Sequence, residues 1–135
     1  MTVLNESLMI DSIWRVFVST IKTQVNKKKE SCGELSGLTY CELTPTDILE
    51  VKRLAIPSLH LKMRRESAYF SLDWEIGKNG DGKTEMLKNE RIDVILGNEN
   101  KFILRWNNNE FADLNEASKY LFNTFFEYPP QRLNS

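Results

Sequence analysis

Apolar residues recur along the first thirty positions at helical intervals. Ile10, Ile13, Trp14, Phe17, Ile21 and Val25 follow one another at three- and four-residue steps, a spacing that stacks them on one side of a helix. The pattern predicts a helix from about Glu6 to Glu30. Lys27, Lys28 and Lys29 fall in its last turn, where cations suit the negative end of the macrodipole, and Gly33 follows where a stop is expected. The lysines therefore read as a solvated helix end. As a phosphate contact they would lack an interleaved aromatic, and Glu30 and Glu34 follow them directly.

After Gly33 the signals are shorter. Leu38 to Leu43 suits an edge strand. Thr44-Pro45-Thr46-Asp47 then has the form of a helix start, with a capping hydroxyl, a proline at the first helical position and a carboxylate that reaches back. The segment from there to about Ile56 reads as either helix or strand, the helical reading placing Ile48, Val51, Leu54 and Ala55 toward the core.

From Pro57 the period falls to two. Leu59, Leu61 and Met63 alternate with His60, Lys62 and Arg64, and Phe70, Leu72, Trp74 and Ile76 alternate with Ser71, Asp73 and Glu75. A turn centred on Glu66-Ser67 would set Met63 opposite Phe70, Leu61 opposite Leu72, Leu59 opposite Trp74 and His60 opposite Asp73. A second hairpin is expected between about Lys88 and Trp106. There Ile92, Val94 and Leu96 face Phe102, Leu104 and Trp106, and Asp93 pairs with Arg105 on the other side.

Asn107-Asn108-Asn109 reads as a polar connection. Asp113 opens a last helix, with Glu116 in the capping-box position. Its inner face is Leu114, Ala117, Leu121 and Phe125, and Pro129-Pro130 ends it. The fold class that follows is α+β: an antiparallel meander of about four to five strands flanked by an N-terminal and a C-terminal helix. Loops this short suit antiparallel neighbours, because parallel pairing needs long crossovers. No repeat or linker divides the 135 residues, so residues 1–135 are expected to form a single domain.

Composition changes this picture little. Apolar residues make up 41% and charged residues 27% of the chain, a globular balance. Eighteen basic residues oppose 19 acidic ones, for a net charge of −1, so electrostatics favours neither nucleic acid nor an anionic membrane as partner. Glu6 and Asp11 interrupt the apolar run that a secretory signal would need. The chain is thus expected to be cytoplasmic, with Cys32 and Cys41 reduced and unconnected.

Three patterns could carry chemistry. Gly77, Gly82, Lys83 and Thr84 satisfy the phosphate-loop spacing GxxxxGK[ST]. However, the preceding strand alternates through Asp73 and Glu75, whereas a nucleotide-binding parallel strand is apolar on both faces. A hairpin loop is the expected structure, and no cofactor is expected. His60, Asp73 and Glu75 share a strand face and could ligate a metal or exchange protons. Lys62 and Arg64 on the same row make a charge ladder the better account, and no metal is assigned. Phe122 and Phe126, four apart and off the inner face of the last helix, would form either a partner surface or part of a helix gripped between sheet and N-terminal helix.

The leading functional expectation is a non-catalytic protein-binding module of bacterial type, such as an immunity protein, antitoxin, secretion chaperone or adaptor. Its candidate surface is His60, Lys62, Arg64, Tyr69, Asp73, Glu75, Phe122 and Phe126, and its partner another protein or a second copy of the chain. An alternative is a ligand-binding or enzymatic α+β cup using Asp73, Glu75, Asp93 or His60 as acid–base groups. A third is nucleic-acid binding through His60, Lys62, Arg64 and Arg65 with Tyr69 stacking, which Asp73 and Glu75 would oppose.

Overall fold

A computed structural model describes residues 3–32, 38–43, 48–53, 58–78, 83–99 and 101–127. Helix α1 spans Val3–Cys32. Seven strands follow: β1 Leu38–Leu43, β2 Ile48–Arg53, β3 Leu59–Arg65, β4 Tyr69–Lys78, β5 Lys83–Leu96, β6 Phe102–Trp106 and β7 Asn109–Phe111. Helix α2, Leu114–Phe126, closes the order. The strands form one antiparallel sheet in sequence order, β1 to β7, so the meander and both flanking helices stand as the periodicity indicates. Two strands, β2 and β7, exceed the expected number.

Strand β2 settles residues 48–53 of the segment between Thr44 and Ile56, which reads as helix or strand, as strand. Ile48, Val51, Leu54 and Ala55 have helical spacing, but Leu49-Glu50-Val51-Lys52 also alternates, and an isolated helix this short is marginal. The sheet decides between the two periods. Leu49 lies opposite Met63 and Val51 opposite Leu61, and both are buried at 2% exposure or less. The cap residues Thr44, Pro45 and Asp47, together with Leu54, Ala55, Gly33 and Pro129-Pro130, lie outside the described residues.

The β3–β4 hairpin turns later than predicted. The Glu66 amide donates to the Tyr69 carbonyl (2.9 Å), Arg65 pairs with Phe70, and the register moves by two. Met63 faces Leu72, Leu61 faces Trp74, and Leu59 faces Ile76. Because side chains alternate with period two, an even shift keeps every apolar residue on its face and changes only its neighbour. The β5–β6 register is the expected one, with Asp93 opposite Arg105 and Val94 opposite Leu104. At Asn107-Asn108 the polar connection is a turn with both residues left-handed (φ 52° and 62°). This geometry matches the twist of a two-residue hairpin and returns the chain as β7.

Both helices lie on the inner face of the sheet. Phe17, Val25, Leu49, Met63, Phe70, Leu72, Trp74 and Leu104 are wholly buried and belong to one contiguous cluster that also takes in Leu121, Phe122 and Phe125. Phe70 meets Trp14 edge-on at 5.0 Å and Phe17 at 5.7 Å, while Trp74 meets Phe125 at 6.2 Å. On the same side Arg65 approaches Asp11 of α1 (3.9 Å).

Helix α2 is held at both ends. Asp113 accepts the Asn115 amide (2.7 Å) as N-cap. At the other end Arg53, the last residue of β2, donates from Nη1 to the carbonyls of Phe126 (2.8 Å) and Phe125 (3.3 Å). A cation from the sheet thus meets the orphan carbonyls and the negative end of the dipole together. Arg53→Ala should cost about 1–2 kcal/mol in urea denaturation, with early fraying of α2 by hydrogen exchange. Asn107→Val should cost about 1–2 kcal/mol by the same measurement, because a β-branched residue resists the left-handed region.

Candidate functional site

The surface left open by this arrangement is the outer face of the sheet, on which no described helix lies. Alternation along β3 and β4 brings His60, Lys62, Arg64, Tyr69, Asp73 and Glu75 onto it together. His60 lies opposite Glu75, and Lys62 opposite Asp73. The pairing expected between His60 and Asp73 is therefore not formed, as a consequence of the two-residue shift. Arg65 leaves this group for the inner side, beside Asp11.

Phe122 and Phe126 also leave it. Phe122 is 5% exposed, and its ring stacks on Phe126 at 6.0 Å. The Lys28 ammonium lies 4.5 Å from the centre of the Phe126 ring. The aromatic pair thus fills the junction of α2 with α1, because packing a helix against both a sheet and another helix buries two of its sides rather than one. Of the three lysines in the predicted helix end, Lys28 has this interior role.

The expected pair Asp93 and Arg105, with positions that periodicity did not single out, completes the outer face. Asn89 donates to Asp73 Oδ1 (2.5 Å), and Thr84 to Glu75 Oε1 (2.5 Å). Arg91 bridges to Asp93 (3.0 Å) and lies 4.9 Å from the centre of the Tyr69 ring. Arg105 bonds Glu110 at 2.8 Å. Lys52 approaches Glu50 at 3.4 Å. Five described cations, Lys52, Lys62, Arg64, Arg91 and Arg105, thus share the face with five carboxylates, Glu50, Asp73, Glu75, Asp93 and Glu110. Alternating signs at cross-strand distance satisfy one another, so the face carries no large field of either sign.

His60 is the one histidine of the chain. Its Nε2 is 2.9 Å from the Ser58 hydroxyl, and the Gly77 amide donates to the Ser58 carbonyl (2.8 Å). A β-carbon at Gly77 would collide with the Ser58 hydroxyl, so this glycine makes room for the Ser58–His60 contact. Partial burial pulls the His60 pKa below its usual 6.5; Glu50 and Glu75 push it up, and Lys52 and Lys62 push it down.

The phosphate-loop pattern falls across the β4–β5 hairpin. Gly77 pairs with Thr84 and Lys78 with Lys83 in antiparallel register, while residues 79–82 lie outside the described set. Lys83 and Thr84 begin a strand, not the helix whose N-terminus a phosphate loop requires. Two pairs beyond Gly77 and Thr84, β5 carries a bulge: Trp74 pairs with Lys88 but Glu75 with Met86. The extra residue, Leu87, bends the strand beside the Trp74 indole, which donates to Glu90 (2.9 Å).

Two cavities are bounded by described residues. A void of about 10 Å³ lies among Ile21, Val51, Leu61, Met63, Leu121, Phe122 and Phe125, too small for a ligand and lined by no carboxylate. A cleft of about 570 Å³ opens at the corner formed by Ile95, Gly97, Lys101, Phe102, Ile103 and Ala112. Asp73, Glu75, Asp93 and His60 line neither. Among the described residues no group of three His, Cys, Asp or Glu is placed to hold a metal ion, and no helix is long and apolar enough to cross a membrane. The thiols of Cys32 and Cys41 lie outside the described side chains. No family model, curated protein or solved structure matches the chain.

The lowered His60 pKa has a definite sign. The folded state holds the proton less tightly than the unfolded chain, so the stability His60 contributes is full above pH 6.5 and is lost as pH falls through the lower folded midpoint. An NMR titration of the single imidazole should give a midpoint below 6.5, and His60→Gln should flatten the fall in stability over that interval. A midpoint at or above 6.5 would contradict this environment.

Proposed function

We propose that the chain is a non-catalytic protein-binding module whose contact surface is the outer face of β2, β3 and β4, around His60, Lys62, Arg64, Tyr69, Asp73 and Glu75. The observation that carries this reading is the gathering of these six side chains on a sheet face that no described helix covers, while the apolar rows of the inner face pack against α1 and α2. Charged and aromatic groups held on adjacent strands are a rigid, preorganised surface, which lowers the ordering cost of binding. The near balance of charge favours a protein partner with mixed signs over a polyanion, since phosphate would meet Asp73 beside Lys62 and Glu75 beside His60.

Immunity proteins, antitoxins, secretion chaperones and adaptors are the kinds of bacterial protein that work through such a face without chemistry of their own. The surface bears on this choice only through its size and charge, so the proposal is the binding module and the cytoplasm its setting.

Affinity capture from the source cell's lysate tests the reading. The tagged wild-type chain should retain one protein in near-equal amount, and Lys62→Glu/Arg64→Glu should lose it. Leu8→Ala, 60% exposed on α1 and far from this face, should keep it. Equal retention by the wild type and both variants would move the surface elsewhere, and no retained protein at low salt would remove the reading.

A further inference from the structure

We propose that the open edge of β5, from Thr84 to Arg91, receives an extended peptide segment of another protein, which pairs with it as an added strand. The site is made of backbone groups and does not rest on the face around His60 and Lys62.

Strand β5 is 14 residues long and β6 only 5. β4 accompanies β5 from Lys83 to Asp93, whereas β6 accompanies it only from Asp93 to Leu96. The cause is the left-handed Asn107-Asn108 turn, which reverses the chain directly after Trp106. Among the described residues no strand borders β5 between Thr84 and Arg91 on the side away from β4. This edge is about 25 Å long at about 3.4 Å per residue, room for a strand of ordinary length.

Two hydrogen bonds fix which groups face the opening. The Val94 amide donates to the Ala68 carbonyl (3.1 Å), on the β4 side of β5. Main-chain groups alternate along an antiparallel strand, so those of Ile92 and Glu90 also point to β4, and those of Arg91 and Asn89 point away. On β4 the Gly77 amide turns to Ser58, just ahead of β3 (2.8 Å). Ile76 and Lys78 therefore turn to β5, where they face Glu85 and Lys83. That leaves Thr84 and Met86 pointing away. The bulge at Leu87 takes up the change of phase between the two halves.

Thr84, Met86, Asn89 and Arg91 thus present donors and acceptors at the repeat of a strand. Such a series is matched by an extended polypeptide, whose main chain supplies the affinity in strand addition. Met86 adds a side-chain preference: it is 52% exposed and projects on the outer face opposite Glu75, an apolar contact for a residue of the added strand. A second copy is the wrong polypeptide. Antiparallel pairing of two β5 edges with Thr84 against Arg91 and Met86 against Asn89 sets Glu85 opposite Glu90 twice, and like charges directly opposite destabilise a pair. The bulge also twists the edge, which resists stacking of identical strands.

Amide hydrogen exchange by NMR on the full chain tests the proposal, with a capped heptapeptide of alternating threonine and valine as probe. In the free protein the Thr84, Met86, Asn89 and Arg91 amides should exchange at least about tenfold faster than those of Glu90 and Ile92. Millimolar peptide should slow these four about fivefold or more, and its fully N-methylated counterpart, with the same side chains and no amide donors, should not. Asn89→Pro removes an outward amide without touching the β4 ladder and should abolish the slowing. Met86→Glu should weaken it, while Lys62→Glu/Arg64→Glu should keep it, which separates this edge from the face around His60. Near-UV circular dichroism confirms that each variant is folded. Protection of the four amides in the free chain would overturn the proposal, since this chain or a second copy would then already cover the edge. So would no slowing by the peptide, or equal slowing by its N-methylated form.

Discussion

Phe70 and Trp74, both without exposed surface on the central strand β4, are the points on which the two helices bear. Trp14 and Phe17 of α1 close on Phe70, and Phe125 of α2 closes on Trp74. Large rings carry most of the apolar area in a contact, and their edge-on and tilted geometries fix how the layers meet. Placed four residues apart on one strand face, they set where α1 and α2 sit. That placement brings the helices against each other and encloses Phe122 between them. The covered face is thereby determined, and so is the open one.

A meander clamped on one face leaves polar groups free on the other, and these have settled into short-range compensation. Asn89 serves Asp73, Thr84 serves Glu75, Arg91 serves Asp93 and Arg105 serves Glu110. Pairs this exposed add little stability. Their effect lies in presentation: side chains held in cross-strand rows offer a patterned surface at low entropic cost. The charged and aromatic group on β3 and β4 lies at one side of this face, and the aliphatic pair Ile95 and Ile103 of β5 and β6 at the other.

Tertiary ties explain elements whose own propensity is modest. β2 is a strand because Leu49 and Val51 find Met63 and Leu61 beside them. The last turn of α2 keeps its carbonyls paired because Arg53 arrives from the sheet. Phe126 is covered by Lys28 from a helix almost a hundred positions earlier in the chain. Each depends on a contact that another element of the assembled layers supplies.

Periodicity by itself determined the two long helices, the alternating strands β3, β4, β5 and β6, the antiparallel order and the sorting of side chains between core and surface. These follow from local repeat lengths of 3.6 and 2 residues, which the chain carries whatever its neighbours are. It also put His60, Lys62, Arg64, Asp73 and Glu75 on one face, since an even slip in register cannot move them off it. Only the tertiary structure decided that residues 48–53 join the sheet, that His60 faces Glu75, that Arg65 and Phe122 turn inward, and that Ile95 and Ile103 meet outside the core. Six residues that can alternate or coil, a turn that can close one residue later, and a helix that can bury one side or two are degenerate in local energy. The contacts that resolve them come from distant segments, and a local pattern contains no trace of those segments.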